Sequence, residues 1–235
     1  MLLSNLNKII MSYILYKKDL TVSQVSIENL GFSTIFRIVN VNNWEETGKG
    51  MFLLNFNIPY DKDELKQSDE MEICRHAFLV INDFNPFVLS EDLMIKAQRN
   101  LKTGLYKEAV IFSQTAIETF LQTLLSKLLE SEGVSIPDIN HKLEETPFMK
   151  MVKNEFYTRL AGIWTPYKLK TDVGKWYKYT YLIRNNVVHR GITPTISEAN
   201  HCVSAAIRFM SYVIKLVKNK QDKYPNIAIF FINNH

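Results

Sequence analysis

The period of the apolar residues changes once along the chain, near residue 85, and that change divides it into two kinds of structure. Up to about residue 82, apolar positions gather in short β-branched or aromatic segments at 12–15, 22–27, 34–41, 51–58 and 73–81. Several alternate with polar residues, as Phe52, Leu54, Phe56 and Ile58 do. Turn-forming residues lie between them: Asn42 with Asn43, the stretch Gly48, Lys49 and Gly50, then Pro59 and the acidic run 61–72. Gly48 to Gly50 lacks the spacing of a phosphate-binding loop and reads as a hairpin turn. A small antiparallel β domain over 1–85 is the economical reading, with Asp83 to Phe87 as the joint.

Beyond the joint the apolar spacing becomes three to four residues. Ser90 is placed to cap a helix reaching about Leu101, with Glu91 and Asp92 in its first turn. A longer helix follows from Tyr106 to about Glu130, striped by Ala109, Phe112, Ala116, Phe120, Leu124 and Leu128. Gly133 and Pro137 make 131–140 read as a loop. Thr146 and Pro147 open a third helix to about Ile163, with Phe148, Val152, Phe156 and Leu160 on one side. After a connection, Asp172 can cap a helix that turns Trp176, Thr180, Ile183 and Val187 inward and ends near Arg190. Thr195 with Glu198 fits a capping box, and the helix behind it carries Val203, Ala206, Met210, Val213 and Val217. The apolar tail 227–232 reads as a short strand. The predicted fold is therefore α+β: the β domain, then an all-α bundle over 86–235.

With 46% hydrophobic and 22% charged residues, the 235-residue chain has the composition of an ordered globular protein. Cys74 and Cys202 stand far apart, which points to buried thiols rather than a disulfide framework. Cys74 with His76, and His201 with Cys202, are close pairs without further ligands, so neither a metal nor another cofactor is indicated. No run approaches the ~20 apolar residues that span a bilayer, and the amino terminus lacks the pattern of a signal peptide. A cytoplasmic protein is expected.

Charge distribution changes the picture more than composition does. Between Pro166 and Lys220 ten lysines and arginines face only Asp172 and Glu198, about +8 in a chain of net +4. The same region supplies Trp164, Tyr167, Trp176, Tyr177, Tyr179 and Tyr181 as stacking surfaces, a combination that suits a polyanion with bases. Lys175, Lys178 and Arg190 are the candidates for holding phosphates. The alternative is a set of solvated, lysine-rich helix faces.

Within that region lie Arg184, Asn185 and His189, followed by Gly191 and Pro194. An imidazole can move a proton near neutral pH, and a fixed guanidinium can hold charge building on phosphorus-bound oxygens. His189 would take the proton from a ribose 2′-OH or return one to the departing 5′ oxygen, Arg184 would stabilise the pentacoordinate phosphorus, and Asn185 would orient the ring or a phosphate oxygen. One geometric condition applies. In an unbroken helix positions five apart point about 140° away from each other, so either the helix loosens before His189 or a second copy completes the site. The plain structural alternative gives Arg184 to helix-end carbonyls or to Glu118, and makes His189 an ordinary last-turn histidine favoured by the helix dipole.

The stretch from Arg184 through Asn185 to His189, with the long helix from Lys107 to Phe120 before it, resembles the HEPN domain (higher eukaryotes and prokaryotes nucleotide-binding). The resemblance covers about 90–220. It implies an α-helical bundle and a metal-independent endoribonuclease acting on single-stranded RNA as a homodimer with a composite site, in phage defence or as a stress toxin. It equally admits a non-catalytic RNA-binding or dimerising adaptor. The 1–85 domain would then sense, dock or receive an inhibitor or trigger. Family members paired with a nucleotidyltransferase carry a Tyr two residues after the motif His; Gly191 stands there, so that pairing is not implied.

Overall fold

A computed structural model of the chain describes residues 33–53 and 85–232, together with the isolated positions 3, 6 and 25. The expected strands at 12–15 and 73–81, and 22–27 but for Val25, lie outside the described residues, as does Cys74. The chain divides into two compact units, 1–65 with 102–105 and 66–101 with 106–235.

In the first unit β1 (Ser33–Val39) pairs antiparallel with β2 (Glu46–Leu53), setting Ile35 opposite Met51 and Phe36 opposite Gly50, with an irregularity at Ile38/Val39. The turn is not at Gly48 to Gly50, as the glycines suggested, but at 40–45. Asparagine side chains build it: Asn40 Oδ1 accepts from Asn42 N at 2.9 Å and Asn43 Oδ1 from Glu45 N at 3.2 Å. Trp44 takes φ +59° to close it. The glycines serve packing instead, because a Cβ at Gly50 would meet the Phe36 ring at 2.6 Å.

The second unit is a helical bundle, so the α+β class read from the periodicity holds: an N-terminal hairpin, then helices. The helices are α1 (Val88–Lys102), α2 (Tyr106–Ser131), α3 (Ile136–Glu145), α4 (Phe148–Asn154), α5 (Tyr157–Leu160) and α6 (Asp172–Trp176). Then follow a wide π-helical stretch (Tyr177–Tyr181), α7 (Leu182–Arg190), α8 (Ile196–Lys218) and α9 (Pro225–Ile232). The centre is α2 against α8. Both expected stripes are there: Ala109, Ala116, Phe120, Leu124 and Leu128 are buried on α2, and all five residues named on α8 are buried. Burying each large aliphatic or aromatic side chain contributes roughly 1.5–3 kcal/mol, so this pair of helices dominates the core. Thr195 accepts from Glu198 N at 3.2 Å while the Glu198 carboxylate accepts from Thr195 N at 2.8 Å, completing the capping box.

Four expectations are corrected here. α1 begins before Ser90, whose buried hydroxyl donates to Phe87 O at 2.7 Å; Asn85 Oδ1 accepts from Phe87 N at the start of that helix instead. Most of 131–140 is helix, because Ser135 caps α3 and Pro137 sits in its first turn, where a missing N–H has no partner to lose. The third helix starts at Phe148 without a side-chain cap and breaks into α4 and α5, ending at Ala161 with φ +57°. The tail is α9 rather than a strand: Ile227, Ala228 and Phe231 are buried, and Phe231 lies 4.8 Å from Phe87 and 6.1 Å from Phe120.

Candidate functional site

The motif helix starts upstream of the motif. Thr171, not Asp172, is its cap: the Thr171 hydroxyl accepts from Gly174 N at 3.1 Å. Gly174 allows the preceding loop to lie directly on the helix, since a Cβ there would run into the Lys168 carbonyl. Trp176 and Thr180 are fully buried and Val187 nearly so, while Ile183 is half-buried beside it. Trp176 stacks on Phe209 of α8 at 4.7 Å. Between the two α segments the backbone widens, Leu182 N donating to Tyr177 O five residues back, with the Tyr177 and Tyr181 rings stacked at 5.5 Å. Such a turn takes up one extra residue and resets which side chains face the bundle downstream.

Downstream of it the helix is regular from Leu182 to Arg190, and Gly191 closes it with φ +65°, its N–H donating to Asn186 O. The helix therefore does not loosen between Arg184 and His189. Their side chains point about 140° apart, with Asn185 between them in projection, one position from Arg184 and one turn before His189. Arg184 is turned toward α2 and His189 toward solvent. Within one chain, Arg184 and His189 do not share a face.

A polar chain crosses the core to Arg184. Trp176 Nε1 donates to buried Gln114 Oε1 at 3.0 Å, Gln114 Nε2 donates to Glu118 Oε1 at 3.0 Å, and Glu118 Oε2 stands 3.9 Å from Arg184 Nη2. Arg184 Nη1 in turn donates to Asn185 Oδ1 at 3.3 Å. The Arg184 and Glu118 side chains are each 26% exposed, and at 3.9 Å their pairing is long. Arg184 Nε is buried with no hydrogen-bond partner among the described residues. A guanidinium held this way keeps donor capacity that its own fold does not use. The sequence reading named Glu118 as an alternative partner but missed Gln114. Gln114 is one of many polar residues on that helix, and its sequence neighbours do not single it out.

The other candidates are spread along the helix. Lys175 is half-buried on α6, two and a half turns and roughly 13 Å before Arg184 along the axis. Exposed Lys178 lies over the Tyr179 ring at 4.9 Å, and Tyr179 packs beside His201 of α8 at 5.4 Å. Exposed Arg190 follows His189. Leu182, Val188 and Ile192 are exposed around the motif as well, an apolar fringe beside the imidazole. Burial pushes the Cys202 thiol up to about 12 despite hydrogen bonding with Thr180 and Ser113, so this cysteine is inert. Among the described residues no three His, Cys, Asp or Glu side chains converge as a metal site, and no helix is long and apolar enough to cross a membrane.

The class defined by fold and site is a helical bundle with an N-terminal β-hairpin and an Arg–Asn–His helix end. Compared with known proteins, the chain matches no family model, no curated protein and no solved structure.

Proposed function

We propose that the chain is a metal-independent endoribonuclease of the HEPN kind, whose site is completed by a second copy. The observation that carries this reading is the placement of the motif on a regular helix. It leaves His189 open to solvent at a helix end that also exposes Leu182, Val188 and Ile192, while Arg184, its Nε buried and unpartnered, keeps its side chain 26% exposed one position from Asn185. An apolar fringe around a charged, solvent-open motif suits a two-fold contact. Across it, one chain's imidazole can meet the other's guanidinium. His189 would then accept the 2′-OH proton, the 2′ oxygen would attack phosphorus, and the 5′ oxygen would leave as a hydroxyl on taking a proton. The products are a 2′,3′-cyclic phosphate and a 5′-hydroxyl end. DNA lacks the attacking group and stays intact.

The test is cleavage of single-stranded RNA in EDTA, compared with Arg184→Ala and His189→Ala. Loss in both variants with folding intact supports the reading; equal activity in both ends it. A second reading, a non-catalytic RNA-binding adaptor, is favoured by the inward turn of Arg184 toward Glu118. It predicts salt-sensitive RNA binding that His189→Ala leaves unchanged.

A further inference from the structure

A concavity of about 490 Å³ lies on α4, α5 and the connection into α6, lined by residues that the Arg184/His189 chemistry does not use. That volume falls within the range of sites that hold small organic ligands. Two side chains in it are aromatic and open: Tyr157 is 62% and Tyr167 67% exposed. Two are cations, Lys153 and Lys168, and no carboxylate lines the cavity. Among the described residues neither lysine forms an ion pair. Lys153 Nζ sits 5.2 Å from the Tyr167 ring centre and donates to its hydroxyl at 3.4 Å, so cation and ring are held as one unit.

The floor is fixed and strained. Ala161 takes φ +57° and ψ −155°, followed by Gly162 at φ +86°. A non-glycine residue in that region stores strain, which concentrates where a fold shapes a binding surface. Three contacts hold it. Trp164 Nε1 donates to Ala161 O at 2.7 Å, the Trp164 ring stacks on Phe156 at 4.8 Å, and Ile163 N donates to the Tyr212 hydroxyl at 2.7 Å. Gly162 lies so close to Tyr212 and Leu216 that a Cβ there would meet the tyrosine oxygen at 2.6 Å. A rigid floor beneath two exposed rings and two unpaired cations is what a base and its phosphate require together.

We propose that this concavity binds one nucleotide unit of a single-stranded nucleic acid, with a base stacked on Tyr167 or Tyr157 and the adjoining phosphate on Lys153 and Lys168. A ring and a pair of cations recognise a base and a phosphate, which RNA and single-stranded DNA share, so both are expected to bind. The proposal is independent of cleavage. An acidic peptide would satisfy the lysines but leave the rings without a role.

The test uses the full chain carrying His189→Ala, titrated by fluorescence anisotropy with a labelled oligouridine and with its DNA counterpart. The double variants Tyr157→Ala/Tyr167→Ala and Lys153→Gln/Lys168→Gln are each expected to weaken both by about tenfold. The lysine double variant should also lower the salt slope by about 1, and Tyr167→Phe, which keeps the ring, should bind like the parent. Thermal melting confirms that each variant folds. Unchanged binding in both double variants overturns the proposal. So does loss in the lysine variant alone, with Tyr157→Ala/Tyr167→Ala binding normally, which marks plain charge attraction such as an acidic peptide shows. If the unmodified chain binds in this manner yet never cuts RNA, the ribonuclease reading fails and this one stands; if it cuts while these variants bind like the parent, the reverse holds.

Discussion

Arg184 has more hydrogen-bonding capacity than its surroundings meet, and the residues around it separate structural from chemical roles. His189 is exposed and touches no part of the core, so His189→Ala is expected to leave the melting temperature within a degree or so while removing cleavage. Gln114 behaves oppositely. Gln114→Ala strips the acceptor from buried Trp176 Nε1 and opens a void, and should lower stability by about 2–3 kcal/mol in denaturant titration. Arg184→Lys keeps the charge but loses the planar fork that reaches Asn185 and Glu118 together, so cleavage should fall while stability shifts by less than about 1 kcal/mol. The motif itself was legible because its residues are neighbours in sequence. The chain from Trp176 through Gln114 was not, because its members lie 62 residues apart and nothing local marks them as partners.

A complete capping box was read correctly, whereas single local signals misled at Ser90, Asp172 and Pro137, and packing overrode the sequence preference in the tail. Helix α8 announces itself through Thr195 and Glu198; Thr195→Ala should cost about 1 kcal/mol and lower the melting temperature by about 2–4 °C, measured calorimetrically. In α3, Pro137 looked like a breaker, yet at the first turn it removes an N–H that has no acceptor anyway. In α9 the β-branched and aromatic run suggested a strand, and burial of Ile227, Ala228 and Phe231 beneath Phe87 and Phe120 overrides that preference. Arg184 and His189 were expected to require a loosened helix or a second copy. The widened turn lies upstream of both, so the helix does not loosen between them, and the proposed site rests on the second copy.

At the scale of the whole molecule the proposed site predicts complementation between two inactive proteins. Mixing Arg184→Ala with His189→Ala gives mixed dimers in which one of the two sites is intact, so activity should return to about a quarter of the parent level. No recovery after exchange of subunits, verified by mass, would exclude a shared site. Stability has its own pH handle at the far end of α2. Burial raises the Glu132 pKa, but the Tyr224 hydroxyl, the Arg159 guanidinium and Lys223 outweigh it and hold the carboxyl below its ordinary 4.5. The stabilisation is thus complete above pH 4.5 and is lost as pH falls through the lower folded value, a slope that Glu132→Gln should flatten in melts taken across acid pH. The wide turn at 177–181 has a consequence for chain length that no point substitution reveals. Removing the single exposed residue Lys178 would rewind it as ordinary α-helix and leave Leu182–Arg190 in place, because the wide turn holds one residue more than an α turn over nearly the same rotation and rise. Val187 would keep its apolar seat and the guanidinium its place beside Glu118, so the chain should tolerate the loss of one residue at this turn where an unbroken helix would not.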